Sequence, residues 1–182
     1  MTVFLTSDTH FNHPRVLTVE KNPRPFSSVE EMNEVMVTRW NDRITNSDQV
    51  YHLGDFVLFG DMDPFLQRLK GQKFLIKGNH DTSERLRKAT LWQEVYDVKE
   101  IKVDKTRLFL FHYACRTWHH SHKGVIHLYG HSHGNLPGDS QSLDVGVDAW
   151  DFRPVTLEEV KSRLATNPQR IEIDHHQTNS DD

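Results

Sequence analysis

This 182-residue chain has a single cysteine, Cys115, which excludes an internal disulfide framework and suits a reducing compartment. Basic residues are also in short supply. The 22 Lys and Arg are outnumbered by 26 Asp and Glu, for a formal net charge of -4. That balance argues against a broad phosphate-binding face, so no extended nucleic-acid surface is expected. No apolar run approaches the roughly 20 residues that a membrane helix needs, so no membrane association is expected. The N-terminus lacks a basic segment followed by an apolar core of useful length, and cleavage there would remove Asp8 and His10. A leader is therefore not expected, and a cytoplasmic location is. Repeats, low-complexity linkers and a G-x-S-x-G nucleophile pattern are missing too. With 36% hydrophobic residues and ordinary Gly and Pro, the chain reads as one domain over 1–174 with a polar tail over 175–182.

What the chain does have is histidine, 13 of them, and a recurring arrangement. Five times a short apolar run delivers Asp, Asn or His at its C-terminal end. Val3-Phe4-Leu5 leads to Asp8-Thr9-His10, and Val50 to Leu53 leads to Gly54-Asp55. Phe74-Leu75-Ile76 leads to Gly78-Asn79-His80-Asp81, and Leu108 to Phe111 leads to His112. Val125 to Tyr129 leads to Gly130-His131-Ser132-His133. In open α/β sheets, ligands bind in the crevice beyond the strand C-termini.

Between these runs the spacing predicts helices. Ser28 with Glu31 is a capping box that opens a helix through about Arg43. Asp63-Pro64 starts a short helix ending near Gly71, and Thr82 to Ala89 makes a charged one. Thr156 with Glu159 opens a last helix to about Leu164, and Arg170 to Ile173 reads as an edge strand. From Trp92 to Val103 the residues alternate, then Asp104 to Arg107 turns into the strand Leu108 to Phe111. That change from continuous to alternating character suggests a second, partly antiparallel sheet.

The side chains gathered at the five strand ends are all oxygen and nitrogen donors. They suit Mn, Fe, Zn or Ni, and two ions more naturally than one. Two ions held about 3.5–4 Å apart need a ligand that touches both, and Asp55, mid-order among these groups, is the bridging candidate. Asp8 and His10 stand two apart, as do His131 and His133, so on regular strands each pair would face one way. Asn79 adds a neutral carbonyl oxygen. A water bridging two such cations becomes a hydroxide near neutral pH, and His80 could protonate a leaving oxygen. His13 and Arg15, in the Pro-rich stretch after His10, are placed to reach the same crevice. Arg116 and Trp118, between His112 and His131, are candidates for gripping a phosphate and stacking a base.

The order Asp-x-His, Gly-Asp, Gly-Asn-His-Asp, His, Gly-His-x-His resembles that of the calcineurin-like metallophosphoesterases, from Asp8 to His133. The resemblance implies an α/β fold of two mixed β-sheets packed face to face and flanked by helices, a four-layer α/β/β/α sandwich. It implies one metal held by Asp8, His10, Asp55 and His133, and another by Asp55, Asn79, His112 and His131. It makes His80 the catalytic histidine. Many members orient that histidine with an Asp three residues after the Gly-Asp carboxylate, where this chain has Leu58. Either Asp81 substitutes, or His80 is less firmly held. The expected activity is hydrolysis of small phosphomonoesters or phosphodiesters, nucleotide-like ones included. A nuclease acting on nucleic-acid ends and a non-catalytic scaffold of the same fold are the alternatives.

Overall fold

The structure, a computed structural model, describes residues 1–19 and 21–171. Its first sheet is built by β1 (Val3–Thr6), β2 (Gln49–His52), β3 (Gln72–Ile76), β4 (Glu94–Tyr96) and, late in the chain, β9 (Val155–Thr156). The order is β4-β3-β2-β1-β9, parallel throughout except for antiparallel β9. The second sheet runs β5 (Lys99–Val103), β6 (Thr106–Leu110), β7 (Ile126–Tyr129) and β8 (Ser142–Asp144). There β5 and β6 form an antiparallel hairpin, while β6, β7 and β8 are parallel. The fold is therefore two mixed sheets with flanking helices.

Alternation along the first sheet explains the layering, because successive strand residues face opposite sides. Phe4, Val50 and Leu75 point to one core, shared with Met32, Met36 and Trp40 of α1 (Val29–Asn41) and Leu66 of α2 (Asp63–Arg68). Leu5, Tyr51 and Ile76 point to the other, where Leu108, Leu110, Leu128 and Leu143 of the second sheet meet them. Strands buried on both faces show up as unbroken apolar runs. Ser28 caps α1 by accepting from Glu31 N, and Thr82 caps α3 (Ser83–Lys88) in the same way. The Thr156–Glu159 capping box opens α4 (Leu157–Leu164), whose Val160 and Leu164 close the core between the sheets.

Two expectations change. The alternating stretch Trp92–Val103 is not one unit: β4 joins the first sheet beside β3 and β5 starts the second. Both are edge strands, so both alternate, and periodicity alone could not assign them to different sheets. Arg170 and Ile171 form no strand; Arg170 is drawn onto the ring of Trp118 at 4.1 Å. The rest of that expected strand, and the expected tail at 175–182, lie outside the described residues. Among the described residues, no helix is long and apolar enough to cross a membrane.

Candidate metal centre

The strand ends of both sheets converge, and the Asp, Asn and His residues beyond them meet at one place. Regular strand geometry is not what aims them. Asp8, His10, Asp55, His131 and His133 all follow the ends of their strands and adopt left-handed backbone, with φ of 56°, 46°, 59°, 65° and 49°. The two-apart spacing of Asp8 and His10 was expected to work through strand alternation. It works instead through repeated αL turns, a conformation that costs energy and is retained where surrounding structure over-determines it. That support is visible: Asp8 N donates to Gly54 O at 2.9 Å and His10 N to Asp55 O at 3.0 Å. The glycines of the motifs leave room. A Cβ on Gly78 would sit 2.2 Å from Asp55 Oδ1, and one on Gly130 would sit 2.0 Å from Ser7 Oγ.

Each central carboxylate gives one oxygen to the fold and turns the other to the cluster. Asp8 Oδ2 accepts from His131 N at 2.9 Å, leaving Oδ1 3.8 Å from His10 Nε2 and 4.0 Å from His133 Nε2. Asp55 Oδ1 accepts from His80 N at 2.8 Å. Its Oδ2 lies 3.6 Å from His10 Nε2 and 3.6 Å from His112 Nε2. Asn79 Oδ1 lies 3.1 Å from His112 Nε2 and 3.0 Å from His131 Nδ1. The ligand atoms of Asp8, His10 and His133 form one close group, and those of Asp55, His112 and His131 a second.

These donors fit cations and little else. His112 Nδ1 donates to Leu53 O at 2.7 Å, so in the neutral ring Nε2 presents a lone pair toward the oxygens of Asn79 and Asp55. Lone pairs converging on lone pairs repel unless a positive charge sits among them. Asp8 Oδ1 and both ring nitrogens of His10 are buried with no hydrogen-bond partner among the described residues. Such atoms are costly in a dry interior. Burial pushes the Asp8 carboxyl up to about 8, the His133 charge opposing and Asp144 and Asp55 adding to the rise. Burial, with the charges of His133 and Arg24, drives His10 far below its usual value. A neutral imidazole beside a buried carboxyl is a donor set that a cation would satisfy.

A cavity of about 370 Å³ lies over the cluster. His10, Asp55, Asn79, His80, His131 and His133 line it, together with His13, Val16, Val19 and Lys21. Asn22 Nδ2 donates to Asn135 Oδ1 at 2.8 Å, tying the loop after β1 to the one after β7. His13 is held neutral by burial and by nearby cations, its pKa pushed down to about 4.

A match to the calcineurin-like phosphoesterase superfamily domain covers residues 1–145. The chain belongs to that superfamily. It is 30% identical over 167 residues to an uncharacterized protein of Methanocaldococcus jannaschii, a match covering 86% of this chain and 87% of that one. Among solved structures it is similar to a protein of unknown function from Aquifex aeolicus, with TM-score 0.67 and 24% identity. That match covers 89% of this chain and 98% of the other, and it speaks for the fold. A phosphoesterase from E. coli aligns over 80% of this chain and 78% of its own at 18% identity and TM-score 0.45.

Three expected substrate contacts fall elsewhere. Trp118 is 7% exposed; its Nε1 donates to Val125 O at 2.7 Å and Arg170 covers its ring, so no face is free for a base. Arg116 is exposed and borders a different depression, with Cys115, Pro137 and Arg170. Arg15 sits exposed on the short 3-10 turn Pro14–Leu17 and does not line the cavity. Asp81 does not orient His80 either. Its oxygens accept from Asp55 N at 2.7 Å, Gly78 N at 2.9 Å and Phe56 N at 3.2 Å, which uses the carboxylate as a backbone clamp. Glu100, His119 and His120 also group on the surface, but Arg107 Nη2 already pairs with Glu100 Oε2 at 2.8 Å. A charge already neutralised is a poor cation ligand.

Sequence reasoning missed Arg24, Asp148 and Tyr113. Tyr113 packs edge-on against His112 and His131, with ring centroids 4.9 and 4.7 Å away. Its position one residue after His112 was the available signal.

Proposed function

We propose that this member of the superfamily hydrolyses small phosphate esters at two divalent cations, Mn foremost, with Fe, Zn or Ni as alternatives. The carrying observation is Asp55 Oδ2, equidistant at 3.6 Å from a histidine of each ligand group. Asp8, His10 and His133 would hold one ion, Asn79, His112 and His131 the other, and Asp55 both. A cation pair of this kind supplies an activated water nucleophile at neutral pH and polarises the phosphoryl oxygens. His80, with Nε2 3.9 Å from Asp55 Oδ2 and its side chain 42% exposed to the cavity, is placed to protonate the leaving oxygen. His13 and Lys21, which line the same cavity, would meet the rest of the ester.

The metal-loaded protein should hydrolyse p-nitrophenyl phosphate or bis-p-nitrophenyl phosphate, lose that activity on chelation and regain it with Mn. Asp55→Asn should cost more than about 100-fold, the upper end of what losing support to a metal costs. The exposed Asp61, changed to Asn, should cost nothing. Equal losses in the two variants, or full activity after exhaustive chelation, would overturn the reading.

A further inference from the structure

We propose that Asp148, clamped by Arg24, is a positioning residue that fixes the half of the centre made by Asp8, His10 and His133. The inference rests on the metal-dependent reading above. Arg24 comes from the loop between β1 and α1, and Asp148 from the 3-10 turn Val147–Ala149 after β8. Nε and Nη2 of Arg24 donate to Oδ1 and Oδ2 of Asp148, both at 2.8 Å, and only 1% of the Arg24 side chain is exposed. The same guanidinium reaches the backbone of the first motif. Nη2 donates to Asp8 O at 2.6 Å and Nη1 to Thr9 O at 2.8 Å, where Asp8 holds its left-handed φ. Asp148 Oδ2 in turn accepts from His133 Nδ1 at 2.8 Å. A carboxylate only accepts, so that nitrogen carries the proton, and in the neutral ring that a metal ligand must be Nε2 is left with its lone pair toward Asp8 Oδ1.

A buried ion pair is a poor device for stability alone, since an apolar pair of similar volume is often as good. What an apolar pair could not do is hold the Asp8 backbone and choose the tautomer of His133 together. Histidines bound to metal usually donate their other ring N–H to such a partner. The other half of the centre has a different one: His112 Nδ1 donates to the neutral carbonyl of Leu53. The two halves should therefore respond unequally to the loss of Asp148.

Calorimetric titration of the chelated full-length chain with Mn tests this. The parent should take up two ions. Asp148→Asn should weaken one class of site by about 10–100-fold and leave the other unchanged. Arg24→Lys, which cannot make the two-pronged contact, should reproduce that asymmetric loss. Both affinities unchanged, or both weakened alike, would overturn the proposal. A parent that takes up fewer than two ions would instead overturn the two-metal reading. Should the variants fail to fold, nitrogen NMR of the unaltered chain loaded with Zn decides. His133 protonated at Nδ1 supports the clamp; protonation at Nε2 overturns it.

Discussion

His80, the candidate proton donor, shows how a side chain is placed when the support expected for it is missing. Among the described residues no carboxylate comes within hydrogen-bond reach of its ring, Asp55 Oδ2 being 3.9 Å from Nε2, because Leu58 stands where many members of the superfamily carry Asp and Asp81 is spent on backbone amides. The residue is held by its backbone instead. Its N–H donates to Asp55 Oδ1 at 2.8 Å, and Arg85 Nη1 donates to its carbonyl at 3.0 Å. The ring rests edge-on against His10, centroids 5.4 Å apart. His80→Ala should therefore leave two ions per chain, since no ligand atom is lost. It should slow esters with poor leaving groups by about 100-fold or more, the range for a general acid, and p-nitrophenyl esters much less. Equal slowing of both would make His80 a phosphate-binding group rather than a proton donor.

The loop from Cys115 to Gly124 was expected to recognise substrate because it starts and ends beside ligand candidates. That inference used topology alone, and packing decided otherwise. Leu108, Leu110 and Leu128 face the first sheet, so the outer face of β6 and β7 needs a cover. Trp118 supplies it, with its ring 5.1 Å from that of His127 on β7. Trp118→Ala should cost about 3–5 kcal/mol of stability, as large-to-small changes at buried aromatics do, and show in the urea midpoint. Its kinetic effect should be the same for nucleotide-like and p-nitrophenyl substrates, and Arg116→Ala should leave both unchanged. A selective loss on nucleotides in either variant would restore the loop as a recognition element. The same distinction explains what could be seen in the sequence. The five apolar runs and the polar residues after them are local patterns, so the strands and the seven ligand candidates were legible. Arg24 and Asp148 are single charged residues 124 positions apart, and no local signal joins them. The αL turns at Asp8 and Asp55 were equally hidden, because nothing in the identity of an Asp announces a positive φ.

Considered as a whole, the protein is two sheets whose shared core sets the strand ends side by side, and burial lowers the pKa of the four histidines enclosed among the described residues, His10, His52, His112 and His127. His127 is the clearest case away from the centre. Its Nδ1 donates to Phe109 O at 3.1 Å, and its Nε2 accepts from Cys115 N at 3.1 Å, joining the second sheet to its covering loop. Burial drives its pKa from 6.5 down to about 4; Arg170 adds to the drop, and the carbonyls of Phe109 and Tyr113 and the Asp139 carboxylate oppose it. A proton on Nε2 would confront the Cys115 N–H, although Tyr113 O, 3.2 Å away, could accept from it. Between pH 6.5 and 4 the unfolded chain thus binds this proton and the folded one does not, so stability falls as pH falls through that window and levels off below it. From pH 7.5 to 5 this one site should account for about 2 kcal/mol. Urea unfolding of the chelated protein at the two pH values measures the drop, to which other buried histidines also contribute. The drop in His127→Gln should be smaller than in the parent by that amount, and an equal drop would mean His127 is already charged in the folded state.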